Sequence, residues 1–392
     1  MILHIIVIVF LLRISLGEDR KISITINPGC GVECKNETNI LIYVRADGSN
    51  DTLHHIWDFT NKPTIILALT SVNTNLTINW TNFKNYEEGA VQFSSPPLYT
   101  FSFLVDKVIE FNDVNNTAVF DPTVYNKSNS IVYDTNFQWT LTRHVNKANY
   151  ASVTMRTGHK HHHSHLLKKG CISITLSAFG TMEHSSLQPH LLHTTNATQI
   201  DIQLENLSTT KHFKSRFALG LALVSSDPAN GTMNLHSRKS LDDEHSPGIF
   251  TIGEVKSKQG YLEWRTVAYT SLERSMTNST GVSSSLFDLP GIQCFVDTAL
   301  ISLFGSDLDF MLWKEVYVSL GEPGDTLYSS NPFISWSFLG GIGVPGNEGF
   351  SLLILLIVGF GLGVPAFLII IGGICIIVKR SRQKHDIVFT EM

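Results

Sequence analysis

Short runs in which apolar and polar residues alternate recur along most of this chain. Four runs show this alternation clearly, and they are 21–26, 137–141, 171–176 and 200–204. This period of two is that of an antiparallel strand with one face buried and the other in water. More continuous apolar runs predict strands that are buried on both faces, and these are 64–70, 217–224 and 295–304. Because almost no window has a helical period, the pattern predicts an all-β fold, and a β-sandwich is its default architecture.

Two apolar segments enclose this β-rich region. Residues 1–17 have a short apolar stretch of about eleven residues followed by Ser15-Leu16-Gly17, which predicts a signal peptide cleaved near Glu18, with an uncleaved anchor as the alternative. Residues 350–378 are uncharged, and a basic tail at 379–392 follows them. This order predicts one transmembrane helix in a single-pass type I protein, with the N-terminus in the lumen and the tail in the cytosol.

The luminal part, about 330 residues, is longer than one sandwich usually needs, so it forms either two sandwich units or one elaborated sandwich. We predict two β-units, residues 18–160 and 161–349. The boundary is placed in the polar, His-rich stretch between Gly158 and Gly170.

Asn-x-Ser/Thr sequons are dense in the predicted luminal part and absent from the rest of the chain. N-glycans are added to this motif on secreted or luminal segments, so the distribution agrees with the predicted orientation. The ten acceptor residues are Asn36, Asn50, Asn75, Asn79, Asn115, Asn126, Asn196, Asn206, Asn230 and Asn278.

The charge of the luminal part depends strongly on histidine. Residues 18–349 carry a net charge of −8 with neutral His, and they contain fourteen of the sixteen His residues. Protonation of all fourteen would change this net charge to about +6. Most of this change would be complete at the pH of an acidic organelle, near pH 5. The domain is not basic enough to indicate nucleic-acid binding.

Four cysteines are predicted to be luminal, and Cys375 lies in the apolar C-terminal run. An even number in an oxidising compartment predicts two disulfides among Cys30, Cys34, Cys171 and Cys294. Three connectivities are open, of which we favour Cys30–Cys34 with Cys171–Cys294.

Candidate chemistry is sparse. The His-rich run 159–165 has imidazoles that could bind zinc, copper or nickel, but lysines surround it and no carboxylate is near, so we interpret it as a solvated loop. The acidic residues 242–244 are interpreted as a loop that leads into a strand. Gly-x-Ser-x-Gly and His-Glu-x-x-His are both absent. We therefore predict a protein that is not an enzyme, with no catalytic residue, cofactor or metal. A pair of carboxylates remote in sequence stays open as a hydrolase alternative.

Five segments resemble the glycosylated lysosomal membrane protein family, in matching order and spacing over nearly the whole chain. They are Leu-His-His-Ile-Trp at 53–57, Val-Gln-Phe-Ser-Ser at 91–95, Ser-Leu-Asp-Asp-Glu at 240–244, Glu-Trp-Arg-Thr-Val-Ala-Tyr at 263–269 and Ser-Trp-Ser-Phe at 335–338. The resemblance implies a non-catalytic accessory subunit that binds a lysosomal major-facilitator-type dipeptide transporter and shields it from proteases. The alternatives are a cell-surface adhesion or ligand-binding receptor and, third, a lysosomal hydrolase.

The C-terminal region adds two expectations. Gly359 and Gly363 lie one helical turn apart and predict a flat stripe on which a partner helix packs. The resemblance implies a Tyr-x-x-bulky sorting signal for cytosolic adaptors, but this tail ends with Phe389 and Met392 at that spacing and has no Tyr. A missing phenol hydroxyl weakens recognition by a pocket that bonds to it. Lysosomal delivery then depends on this variant signal or on transport with a partner.

Overall fold

The computed structural model describes residues 19–34, 40–158, 165–242, 248–289, 291–346 and 352–389. The predicted signal peptide, the His run at 159–164 and the acidic residues 243 and 244 lie outside these ranges. The chain divides into two units. The first comprises the residues up to 239 together with 250–347, and the second comprises 240–249 together with 348–392.

The prediction of an all-β fold with one C-terminal helix is confirmed. The strands are β1 Lys21–Ile26, β2 Leu41–Asp47, β3 Asp51–Asp58, β4 Thr64–Ser71, β5 Leu76–Ile78, β6 Val91–Phe93, β7 Tyr99–Asn112, β8 Ser130–Asp134, β9 Trp139–Lys147, β10 Tyr150–Thr157, β11 Cys171–Phe179, β12 Glu183–His184, β13 Leu192–His193, β14 Ala197–Glu205, β15 Ser215–Pro228, β16 Asn234–Asp242, β17 Gly248–Lys256, β18 Gly260–Arg265, β19 Val267–Tyr269, β20 Ser279–Phe287, β21 Met311–Leu320 and β22 Phe333–Ile342. The helices are α1 Trp80–Phe83, α2 Ala299–Phe304 and α3 Leu352–Phe389.

Two antiparallel sheets form the first unit. The first sheet has the order β1-β2-β3-β4-β7-β15-β21-β20, and β8 pairs with the second half of β7. The second sheet has the order β9-β10-β11-β14-β22, and β22 also pairs with β18 and β19. Strand β20 pairs with β19 as well as β21, which joins the two sheets along one side.

Apolar side chains from both sheets form the main core. Phe103 of β7 packs against Phe338 of β22, with ring centroids 5.8 Å apart. At two positions between the sheets, a glycine faces an aromatic ring. A Cβ at Gly260 would lie 2.2 Å from the Phe101 ring, and a Cβ at Gly340 would lie 2.3 Å from the Phe103 ring. Glycine at these positions therefore allows the aromatic core to close.

A second core covers the other face of the first sheet. Residues of α1 and α2 pack there against Ile56, Ile66 and Leu104. The strands β3, β4 and β7 are thus enclosed on both faces, which explains why residues 64–70 read as a nearly continuous apolar run.

The predicted division between residues 160 and 161 does not separate two sandwich units. Strand β10, before this point, pairs residue by residue with β11, after it. Strand β15 of the second predicted unit likewise pairs with β7 of the first. The alternation of single strands is visible in sequence, but the pairing of strands distant along the chain depends on tertiary contacts.

The predicted strand at 295–304 is wrong. This segment forms a 3₁₀ turn that ends at Phe295, followed by α2. Thr298 caps α2, because its Oγ1 accepts a hydrogen bond from the Leu300 backbone N–H at 3.3 Å. A short apolar run has the same appearance in a buried helix and a buried strand, so periodicity did not distinguish them.

Helix α3 includes residues 352–378 of the predicted transmembrane segment. An 18-residue window within Leu356–Arg380 has a mean hydropathy of 2.6, and this segment is long enough to cross a bilayer. The helix continues to Phe389, beyond the predicted end at residue 378.

Candidate functional site

The sequon asparagines lie mainly on exposed loops of the sandwich. Seven of the nine within the described ranges are exposed, Asn196 and Asn278 are half-buried, and Asn36 lies outside those ranges. Several of the exposed ones occupy connections between strands, and these are Asn50, Asn75, Asn115, Asn126, Asn206 and Asn230. This placement gives an oligosaccharide room at each of these loops.

Two of the sequon asparagines, Asn79 and Asn126, use their side-chain oxygen in a local hydrogen bond. Asn79 caps α1, and its Oδ1 accepts a bond from the Asn82 backbone N–H at 3.3 Å. Asn126 Oδ1 accepts a bond from the Ser128 N–H at 2.9 Å. Because a glycan is attached through the amide nitrogen, these bonds are compatible with glycosylation.

The half-buried acceptor Asn196 belongs to a contact between the two sheets. Its Oδ1 accepts a bond from Arg20 Nε at 2.8 Å. The third residue of this sequon, Thr198, is buried on β14 and bonds His55 Nδ1 of β3 at 2.8 Å. The sequon is therefore also part of a cross-sheet hydrogen bond.

One of the two favoured disulfides is present. Cys30 and Cys34 are bonded, with their Cα atoms 5.7 Å apart. Cys171 and Cys294 are free thiols, which corrects the second pairing. Cys171 begins β11, where its Sγ accepts a bond from Arg156 Nε at 3.0 Å, whereas Cys294 packs against the second core. Burial raises the pKa of Cys171, and it raises the pKa of Cys294 to about 12, so both remain protonated thiols at neutral pH.

Three of the family-like segments supply core and cross-sheet contacts. Trp264 of β18 packs edge-on against Trp336 of β22, with ring centroids 5.9 Å apart, and Trp336 stacks on Phe338. His55 packs against Trp57 on β3. These segments therefore fix the sandwich itself, and a role in packing accounts for their residues. Within the described ranges, no group of three or more His, Cys, Asp or Glu residues is arranged to hold a metal ion.

Three histidines do not follow the predicted charge change. Burial lowers the pKa of His54 to about 4, and it lowers the pKa values of His55 and His193 to about 3. These three residues stay neutral near pH 5, so at most eleven of the fourteen histidines in the predicted luminal part can take part in the predicted charge change.

A buried ion cluster was not foreseen from the sequence. Arg216 on β15 donates to Asp113 Oδ2 through Nε and to Asp325 Oδ1 through Nη1, both at 2.6 Å. It also bonds Asn116 Oδ1 at 2.5 Å. The partners lie about a hundred residues from Arg216, so no local motif indicates the cluster.

The sandwich and the C-terminal helix define the class: a β-sandwich protein with a single apolar helix long enough to cross a membrane. Residues 40–383 match the family model for glycosylated lysosomal membrane protein. The chain therefore belongs to the glycosylated lysosomal membrane protein family, and the resemblance noted in the sequence is confirmed.

Relatives from several vertebrates match over almost the full length. Glycosylated lysosomal membrane protein B of Xenopus laevis is 29% identical over 93% of this chain and 91% of its own. The Mus musculus protein is 26% identical over 94% and 90%, and the Homo sapiens protein is 24% identical over 94% and 91%. A solved Salmonella typhimurium structure matches 77% of this chain and 91% of its own, at 11% identity, with a TM-score of 0.29. That score is too low to support a conclusion.

Proposed function

We propose that this chain is a non-catalytic accessory subunit of a lysosomal major-facilitator-type dipeptide transporter. In this role it stabilises the transporter and shields it from lysosomal proteases. The sandwich lies in the lumen, α3 crosses the membrane once, and the basic tail is cytosolic. The observation that carries the proposal is the placement of acceptor asparagines on the exposed loops of a densely paired sandwich.

Exposed loop tips are preferred sites of proteolytic cleavage. In this chain, glycans would be attached to five such loops, which contain Asn50, Asn115, Asn126, Asn206 and Asn230. Strands that are hydrogen-bonded within a sheet cannot enter the active site of a protease. Glycans on the loops would block the access of a protease to the loops. A domain protected in this way survives in the lysosome and covers the luminal loops of a partner. Steric protection requires binding but no catalysis.

Helix α3 offers a contact surface for the transporter. Gly359 and Gly363 lie on one face of the helix, and a Cβ at either position would meet no atom within 4 Å. Two glycines one turn apart allow the backbone of another helix to approach closely. We therefore place the transmembrane contact on this stripe.

Replacing both glycines, Gly359→Leu with Gly363→Leu, is expected to reduce co-purification of the transporter several-fold, because the leucines keep the partner helix at a distance. The full-length chain is captured from cells, and quantitative mass spectrometry measures the amount of transporter that is recovered with it. Gly361→Leu with Gly372→Leu is the matched control, since both positions lie on the opposite helix face. Equal recovery with both pairs would remove α3 from the interface.

Loss of the whole chain tests the protective role. In lysosomes from cells without this protein, one multi-span transporter is expected to decrease strongly, and a lysosomal protease inhibitor is expected to restore it. The measurement is quantitative proteomics of the lysosomal membrane with and without the inhibitor. An unchanged membrane proteome would contradict the proposal and favour a receptor or a hydrolase.

The tail is consistent with delivery alongside a partner. Residue 389 ends α3, and residue 392 of the variant signal lies outside the described ranges. Because this tail has no Tyr, we propose that the transporter supplies part of the sorting information.

A further inference from the structure

The outer face of the second sheet is lined with polar side chains in register. Across β10, β11 and β14, Ser152 faces Ser177, and Ser177 faces Gln199. In the next row, Thr154 faces Thr175, and Thr175 faces Asp201. The alternate residues of the same strands, such as Val153, Leu176 and Ile200, belong to the core. This face is therefore polar over three adjacent strands.

A cleft of about 610 Å³ lies on this polar face. Its lining includes residues of the segment 181–193, which contains the β12–β13 hairpin, and also Arg274. Arg274 bonds the Gln188 carbonyl at 2.7 Å, Ser337 Oγ at 2.8 Å and Asp201 Oδ1 at 3.1 Å. The wall of the cleft is thus attached to its floor. The volume lies within the range of about 300–1,000 Å³ that is usual for small-ligand sites.

Two buried side chains that line the cleft each have a polar atom without a hydrogen bond. Gln199 is 5% exposed, and its Oε1 has no donor, although its Nε2 bonds Asp201 at 3.1 Å. His193 is 2% exposed, and its Nδ1 also has no partner. A buried polar atom without a partner is costly, because it has lost its bonds to water. A ligand that bonds these atoms would remove that cost.

Aromatic rings and neighbouring hydroxyls complete the lining. The Phe179 ring stacks on the His193 ring, with centroids 3.3 Å apart, and Tyr150 packs against Phe179. Tyr150 OH bonds Ser177 Oγ at 3.2 Å, and Ser177 Oγ donates to Ser152 Oγ at 3.0 Å. Flat apolar rings beside rows of hydroxyls match a ligand with both C–H faces and hydroxyl groups.

We propose that this cleft binds a neutral sugar unit of an oligosaccharide. Each sugar hydroxyl both donates and accepts, so one ligand can donate to Gln199 Oε1 and still accept from the serine hydroxyls. The basic residues Arg143, Lys147 and Arg274 are offset in part by Glu183 and Asp201, so the lining does not require a strongly charged ligand.

Access to the cleft agrees with this assignment. The strands β9, β10 and β11 lie in a stretch without sequons, between Asn126 and Asn196. None of the residues that line the cleft is an acceptor asparagine. Glycans attached to this chain therefore do not start inside the cleft, although one from a neighbouring sequon could reach it.

Binding is tested with the full-length protein in lipid nanodiscs, because sugar-based detergents would compete. An array of N-glycans and oligosaccharides is probed first, and saturation-transfer NMR with free hexoses follows. The protein is used both as purified and after enzymatic trimming of its own N-glycans. Saturable binding of at least one neutral glycan is expected. Binding only after trimming would identify a glycan of this chain as the occupant, and binding without trimming would identify an external one.

Gln199→Met is expected to weaken this binding about tenfold, since it removes the orphan oxygen at similar side-chain length. Tyr150→Ala, at the half-buried rim, is expected to weaken it as well without disturbing the core. The matched control is Gln92→Met, an exposed glutamine on β6 outside the cleft, and it should bind like the unchanged protein. Absence of saturable binding in both assays, or equal affinity for Gln199→Met and Gln92→Met, would overturn the proposal.

Discussion

Arg216→Met is expected to destabilise the sandwich by about 3–5 kcal/mol, which is the usual cost of removing one partner of a buried ion pair. Arg216 is 1% exposed, and Asp113 is 0% exposed. Methionine fills much of the volume but leaves the Asp113 carboxylate buried without its cation. The guanidinium also joins β15 to the loops that contain Asn116 and Asp325, so all three segments lose a bond.

The measurement is chemical denaturation of the full-length protein, followed by tryptophan fluorescence. Arg143→Met is the matched control, because Arg143 is exposed on β9. Its expected change lies within about 0.5 kcal/mol, as for most surface substitutions. A loss below about 1 kcal/mol for Arg216→Met would mean that the cluster contributes little to stability.

The same cluster is expected to persist at lysosomal pH. Burial raises the pKa of Asp113, but hydrogen bonds from Ala118, Thr117 and Arg216 outweigh this effect and lower it below its usual value. A lowered pKa stabilises the fold above the unfolded value, near 3.8, and the gain is lost as the pH falls through the folded value. The contribution of Asp113 is therefore complete at pH 5.

Stability is expected to decrease between pH 6.5 and pH 5 because of His54, His55 and His193. Their folded pKa values of about 3 to 4 lie below the unfolded value of 6.5, so only the unfolded chain gains these protons. The loss begins as the pH falls below 6.5 and continues down to the folded values. At pH 5 it amounts to about 2 kcal/mol for each residue. Asp58 acts in the opposite direction, because burial raises its pKa to about 6 and the folded state therefore gains this proton first. At pH 5 it increases the free energy of unfolding by about 1–2 kcal/mol.

His55→Asn isolates one of these contributions. Asparagine retains a polar group near Thr198 but does not titrate, so the stability difference between pH 7 and pH 5 is expected to shrink by about 2 kcal/mol. The measurement is the free energy of unfolding of the full-length chain at several pH values. The exposed His144→Asn is the control and should leave the difference unchanged. An equal difference in both variants would show that His55 does not drive the pH dependence.

Local patterns predicted the single strands well. The alternating run at 21–26 coincides with β1, and the runs at 171–176 and 200–204 lie within β11 and β14. The short-range Cys30–Cys34 pair was also predicted, since four residues of separation keep the two thiols close in any compact loop. Each of these features depends on neighbours in sequence, so the sequence alone contains the information.

Features that join distant segments were missed or misassigned. The Cys171–Cys294 pairing was wrong because the fold places the two thiols in different surroundings. The three low histidine pKa values result from burial, which the sequence does not report. The cleft on the second sheet requires Gln199, His193 and Arg274 to meet, although they belong to β14, β13 and a loop.

The sequence by itself determined the all-β class, the family, the C-terminal apolar helix and the positions of the sequons. Each of these features depends on the composition and spacing of residues that are close together in the chain. Only the tertiary structure decided that one sandwich replaces two, that Arg216 is buried between Asp113 and Asp325, and that a polar cleft lies on the second sheet. The physical reason is that strand pairing and burial depend on contacts between residues far apart in the chain, and hydrophobic periodicity does not specify which strands become neighbours.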